Sequence, residues 1–227
     1  MGLVTPSRNE AAALDALHDI TSVLTAHHAL HHVCDGTLLG IVREGGFIAD
    51  DNDIDFRVDR SALTDDLVLA LQTAGFTLFK RSSVKGHLAS IGLARDGIAV
   101  DLYGTDFSAG AAVFHIIYKD GYLTYCVPFH GVEERVFRNL SLSVPKRAEA
   151  DLIACYGATW QTPISAWDGV FDHRALLCCT GGLKTLFSAA YKFQDARSPN
   201  GKPLTGWSAL RGALRAIFWL RLRAPET

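Results

Sequence analysis

Neither sign of charge dominates this chain. Its 227 residues carry 22 Lys and Arg against 24 Asp and Glu, a formal net charge of −2. A nucleic-acid partner usually demands a basic face, so none is expected, although a small local basic patch is compatible with the balance. No apolar run reaches the ~18 residues that a bilayer-crossing helix needs. The opening residues MGLVTPSRNE are polar and lack the apolar stretch of a secretion signal. Pro6 stands where an N-myristoylation pattern requires Ser or Thr. The five cysteines, Cys34, Cys126, Cys155, Cys178 and Cys179, are odd in number and form no C-x-x-C pair. Reduced thiols and a cytoplasmic location are expected. Internal repeats and low-complexity runs are missing too. What is present is an ordinary globular share of apolar residues, 48%, enough for one sizeable core with a smaller appendage.

The stretch RNEAAALDALHDITSVLTAHHAL has Leu14, Leu17, Ile20, Val23 and Leu24 at three- and four-residue steps and predicts an amphipathic helix. A short strand in HHVCDG should break at Asp35-Gly36, with a short helix from about Thr37. DIDFRVD alternates with the strand period. RSALTDDLVLALQTAGF predicts a helix capped by Ser61 and ended near Gly75. TLFKRS, HLASIGLARDG, IAVDLYGT, AVFHIIYKDG, YLTYCVPF and LSLSVP predict strands joined by tight turns. From Lys146 the pattern returns to helix. The expected fold class is α/β (α+β): a mixed β-sheet core flanked by helices over residues 1–145, then a helical C-terminal region over 146–227.

The segment Gly36–Phe56, GTLLGIVREGGFIADDNDIDF, concentrates the chemistry. On a strand, Asp53 and Asp55 share one face, roughly 6–7 Å apart at the backbone. At an effective dielectric of ~20, two like charges ~6 Å apart repel by roughly 3 kcal/mol. A divalent cation removes that repulsion, and Mg²⁺ favours one or two carboxylates together with phosphate oxygens. A solvated polar strand face is the simpler account of D-x-D alone. Two features favour the metal. The glycine-bounded GTLLG offers backbone N–H groups and the Thr37 hydroxyl to a phosphate. Asp101, flanked by Val100 and Leu102, puts a third acid in an apolar strand, which requires either an Arg partner or a metal. Such a set suits in-line phosphoryl displacement, with Asp101 as the group that takes the acceptor's proton.

These motifs resemble the LicD / fukutin-related family. GTLLGIVREGGFIADDNDIDF is similar to its signature, IAVDLYG to the strand that carries its third Asp, and VPKRAEADLIACYGATWQTP to its closing V-P, helix and Y-G-x-x-W-x-x-P element. The resemblance spans about residues 31 to 163. It implies a nucleotidyltransferase-like fold and a metal-dependent phosphotransferase. Such an enzyme moves a phosphocholine or alditol phosphate from a CDP-linked donor to a hydroxyl of a saccharide or glycolipid acceptor, with Mg²⁺ or Mn²⁺. It implies Asp53, Asp55 and Asp101 as metal ligands and catalytic acids, and Gly36, Thr37, Arg43 and Asp51 around the donor's phosphates. Arg43 suits that role through its planar fork; an ion pair with Asp51 or Asp53 is the other reading. The family's Pro-Trp is replaced here by Ala49 and Asp50, and one acid by Asn52, which bears on the substrate more than on the reaction. A nucleotidyltransferase that adds NMP from an NTP to a small molecule, and an inactive nucleotide-binding relative, are the alternatives.

Other features are open to two readings each. His27, His28, His31 and His32 fit a polar surface or second-layer role, or a zinc site. Lys80, Arg81 and Lys85 fit a solvated loop or a phosphate contact. Tyr156, Trp160 and Trp167 either pack the helical part or stack on a cytosine. The basic, apolar LRGALRAIFWLRLR either docks on the core or makes peripheral membrane contact.

Overall fold

A computed structural model of the chain describes residues 10–49, 51, 53–118, 121–163 and 173–181. Asp50, Asn52, Trp167 and the expected C-terminal basic helix lie outside the described residues. The first helix, α1 (Glu10–Ala26), buries Ala13, Ala16, Leu17, Ile20 and Leu24 along one stripe, as its periodicity predicts. Then come β1 (His31–Val33), α2 (Asp35–Leu39) and a π-helical turn (Gly40–Glu44). The acidic strand β2 (Asp53–Asp59) follows. Helix α3 (Asp65–Thr73) begins later than expected: its cap is Thr64, whose side chain accepts the Leu67 N–H, and not Ser61, which instead donates to Asp59.

Strands β3 (Thr77–Val84), β4 (His87–Arg95), β5 (Ile98–Ser108), β6 (Gly110–Tyr118) and β7 (Gly121–Phe129) form a meander of neighbours. β8 (Val132–Phe137) and β9 (Leu140–Pro145) make a separate hairpin, then α4 (Ala148–Tyr156). In the C-terminal region expected to be helical, Leu176–Thr180 is instead a strand, β10, which pairs antiparallel with β7 and extends the sheet. The large sheet runs β1-β2-β5-β6-β7-β10, with β4 on β5 and β3 on β4. β2 and β5 are parallel and the other pairs antiparallel. This is the mixed α+β, nucleotidyltransferase-like architecture that the motifs imply. No described helix is long and apolar enough to cross a membrane.

The sheet buries both faces of β2. Ile54, Phe56 and Val58 pack with α1 and α3 in the larger core. Asp55 and Arg57 point the other way and are 6% and 0% exposed. The polar face is therefore covered at Asp55 and Arg57 and half-buried at Asp53, and a fully solvated strand face does not account for it.

Candidate active site

The parallel pairing of β2 with β5 puts Asp55 opposite Asp101. One oxygen each from Asp53, Asp55 and Asp101 lies within 4.8 Å of the others. Burial, and then the like charges of Asp53, Asp35, Asp51 and Asp101, push the Asp55 carboxyl well above the usual carboxylate range. Three convergent carboxylate oxygens in a half-buried site, with mutual repulsion, are a donor set that fits Mg²⁺ or Mn²⁺. Tyr103 lies on β5 two residues beyond Asp101, and its hydroxyl donates to Asp55 Oδ1 at 3.4 Å. Lys80 Nζ stands 3.8 Å from Asp101 Oδ1.

Helix α2 is fixed directly to this strand. The Cys34 N–H donates to the Asp55 carbonyl at 3.0 Å, and the Asp55 N–H donates to Thr37 Oγ1 at 2.9 Å. Thr37 is 2% exposed, so its hydroxyl serves the acidic strand before any ligand. A Cβ on Gly36 would come within 2.6 Å of the Asp51 carboxylate; the glycine is what lets Asp51 lie against α2. Arg43 turns sideways: Nη2 pairs with Glu44 at 2.6 Å and Nη1 donates to the Trp160 carbonyl at 3.3 Å. Trp160 belongs to the core.

Arg57 is the residue that sequence reasoning passed over. Fully buried, it donates from Nη1 to Asp151 at 2.8 Å and from Nη2 to Asp35 at 2.9 Å, with Cζ 4.7 Å over the Phe114 ring. The guanidinium pins α4 and the start of α2 beneath the acidic strand. Burial raises the Asp35 carboxyl, but Arg57 and then His173 overcome this and hold it well below the usual range. Asp35, Cys155 and His173 also converge like metal ligands, but a cation already fills that spot: Arg57 Nη2 is 3.6 Å from Cys155 Sγ. The third polar residue of D-I-D-F-R was the available signal, since an Arg beyond two acids on one strand face needs carboxylates of its own.

The histidine cluster splits. His27 and His28 are exposed, whereas His31 and His32 are buried, each with Nδ1 donating to a backbone carbonyl. None of the four belongs to a metal-type group among the described residues.

The fold and the family match together point to a transferase of the nucleotidyltransferase type. The family model "LicD/FKTN/FKRP, nucleotidyltransferase domain" matches residues 29–147, and the chain belongs to that family. No curated protein sequence matches it. Among solved structures, it is similar to the solution structure of the antibiotic-resistance factor ANT(2'')-Ia, at 9% identity and a TM-score of 0.45, over 94% of this chain and 91% of that one. It is also similar to lincomycin-bound lincosamide antibiotic adenylyltransferase LnuA, at 14% identity and a TM-score of 0.43, over 61% and 82%. ANT(2'')-Ia in complex with adenylyl-2''-tobramycin matches at 12% identity and 0.45, over 94% and 99%.

Proposed function

We propose that the chain transfers a substituted phosphate, of the phosphocholine or alditol phosphate type, from a CDP-activated donor to a hydroxyl of a saccharide or glycolipid. The observation that carries this reading is the convergence of Asp53, Asp55 and Asp101 on one sheet face in a member of this family. Asp53, Asp55 and Asp101 would hold Mg²⁺ or Mn²⁺, which supplies charge neutralisation for the phosphate oxygens when bound. Asp101 takes the proton of the acceptor hydroxyl. The acceptor oxygen then bonds to the phosphorus that bears the alcohol, the bond from that phosphorus to the bridging oxygen breaks, and CMP leaves.

The donor's phosphates are assigned to the α2 side, near Gly36, Thr37, Arg43 and Asp51. Thr37 acts there by fixing the Asp55 backbone. Arg43 must exchange Glu44 for phosphate, a small step because a partly exposed ion pair contributes only about 0–1 kcal/mol. Buried Arg57 holds the strand, and half-buried Tyr103 the Asp55 carboxylate, in place.

A thermal-shift series with CDP-choline, CDP-ribitol, CTP and ATP, each with and without Mg²⁺, tests the reading. Cytidine diphosphate donors should stabilise the protein with Mg²⁺, Asp55→Asn should lose that response, and turnover should release CMP. Stabilisation by ATP alone, or release of pyrophosphate instead of CMP, would overturn it.

A further inference from the structure

The row that carries the acids continues across the sheet. Asp55 is in register with Asp101, Asp101 with Gly92 on β4, and Gly92 with Lys80 on β3. Residues in register share a face, so this is one line of side chains on the acid side. Gly92 contributes none, and Phe79 takes its space. Ring atoms Cε2 and Cζ of Phe79 lie 2.8 Å from where a Cβ on residue 92 would be.

Phe79 reaches that place through an irregularity in β3. Pairing passes from Leu78 with Leu93 directly to Lys80 with Gly92, so Phe79 is the extra residue of a β-bulge. Without the bulge, alternation would send Phe79 to the face opposite Lys80. The ring is not buried by the arrangement: Phe79 is 58% exposed. Neighbouring strands lie about 4.8 Å apart, so an open aromatic face sits one strand from Asp101. Lys80 shares the spot, its Nζ turned to Asp101.

We propose that Phe79, seated over Gly92, is the platform of the acceptor subsite: the C–H face of a saccharide ring stacks on it and turns a hydroxyl toward Asp101. The assignment rests on the phosphotransferase reading above. A phenyl ring has no hydrogen-bonding group, so it selects a flat apolar face, and Lys80 and Asp101 supply the polar contacts. The donor's phosphates are assigned across the acids on the α2 side, which leaves the β3–β4 side to the acceptor. A nucleobase would also stack on a phenyl ring, and the test separates the two.

The probes are methyl glucoside, methyl galactoside and methyl N-acetylglucosaminide, followed by saturation-transfer NMR and titration, alongside calorimetry with CMP and Mg²⁺. The full chain is used as wild type, Phe79→Ala, Phe79→Tyr and Gly92→Ala. At least one glycoside should bind wild type and receive saturation at its ring C–H protons. Phe79→Ala should weaken it about fivefold, the scale of one aromatic contact, while Phe79→Tyr retains it. Gly92→Ala should displace the ring and weaken the glycoside equally while the protein stays folded, because the closest atoms are the far end of the Phe79 ring and Lys80 Cβ, at 3.0 Å, has to give only slightly. CMP affinity should be the same in all four proteins. Glycoside binding indifferent to Phe79→Ala, no glycoside binding to wild type, or a loss that falls on CMP instead would each overturn the proposal. Failure of CMP to bind any form, with glycoside binding still dependent on Phe79, would strike the CDP-donor reading and leave the saccharide platform standing.

Discussion

Arg57 on β2 and Asp151 on α4 meet at 2.8 Å with side chains 0% and 2% exposed, 94 residues apart in sequence. This buried pair ties the helix after the β8–β9 hairpin to the strand that carries the acids. Removing one partner leaves an uncompensated charge in the interior, which typically costs about 3–5 kcal/mol. Arg57→Ala should lower stability by about that amount in urea denaturation, and Asp151→Ala by less, because Arg57 then keeps Asp35. Arg57→Met combined with Asp151→Leu should recover part of the loss, because that pair of charges is then gone while Asp35 loses Arg57 and keeps His173 beside it. Two single variants with wild-type stability would show that the pair does not hold α4 in place.

Thr37 makes a smaller but more local contact. Its hydroxyl accepts the N–H of Asp55 and is buried. Thr37→Val keeps the shape and removes the acceptor, so a buried donor loses its partner at a cost of about 1–3 kcal/mol. Thr37→Ser should retain most of the stability. Thr37→Val should also weaken Mg²⁺ binding in calorimetry, since the backbone of Asp55 loses its anchor. A Thr37→Val protein that matches wild type in both measurements would remove Thr37 from the site.

His32 gives the acid limb of the stability curve a defined sign. Its ring packs against the Phe107–Phe129 pair, at 5.7 and 6.1 Å from the two rings, and its pKa falls to about 4 from 6.5. Burial is the main cause, followed by Arg57, while Asp151, Asp35 and the hydrogen bond to Val33 oppose it. The fold keeps the ring neutral; the unfolded chain takes a proton below about pH 6.5. The contribution is therefore full above pH 6.5 and is lost as pH falls toward 4. It amounts to on the order of 3 kcal/mol. His32→Phe should flatten the stability profile between pH 6.5 and 4 relative to wild type. An unchanged slope there would mean that His32 is protonated in the folded protein.

Much of the fold was legible because its signals are local. The meander β3 to β7 shows its alternation and turns, and Asp53 and Asp55 share a face by spacing alone. β8 was not legible: Glu133, Glu134 and Arg135 interrupt any apolar stripe, and its partner β9 supplies the pairing. β10 reads LLCCT without alternation and becomes a strand only because β7 offers an edge. In the site, Asp101 was found by its apolar flanks. Asp151 could not be assigned as the partner of Arg57, because pairing over 94 residues is set by topology and not by any local pattern. Phe79 looked like an ordinary strand aromatic, since a bulge in β3 is invisible until β4 is laid beside it.

Gly36 and Gly40 bracket the same motif and should respond in opposite ways. A Cβ on Gly36 meets the carboxylate of Asp51 at 2.6 Å, the movable end of a side chain. A Cβ on Gly40 meets the backbone carbonyl of Gly46 at 2.6 Å and the backbone N of Ile48 at 3.1 Å, neither of which can swing aside. Gly36→Ala also gains helix propensity, up to about 1 kcal/mol, within α2. Its stability should stay near wild type, while Asp51 is displaced and Mg²⁺ binding weakens. Gly40→Ala should lose about 1–3 kcal/mol, because the 45–48 segment has to lift off the π-helical turn. Urea denaturation and metal titration of the two variants separate the cases. Equal losses of stability would show that both glycines serve packing alone, and an unperturbed Gly40→Ala would place the 45–48 segment elsewhere.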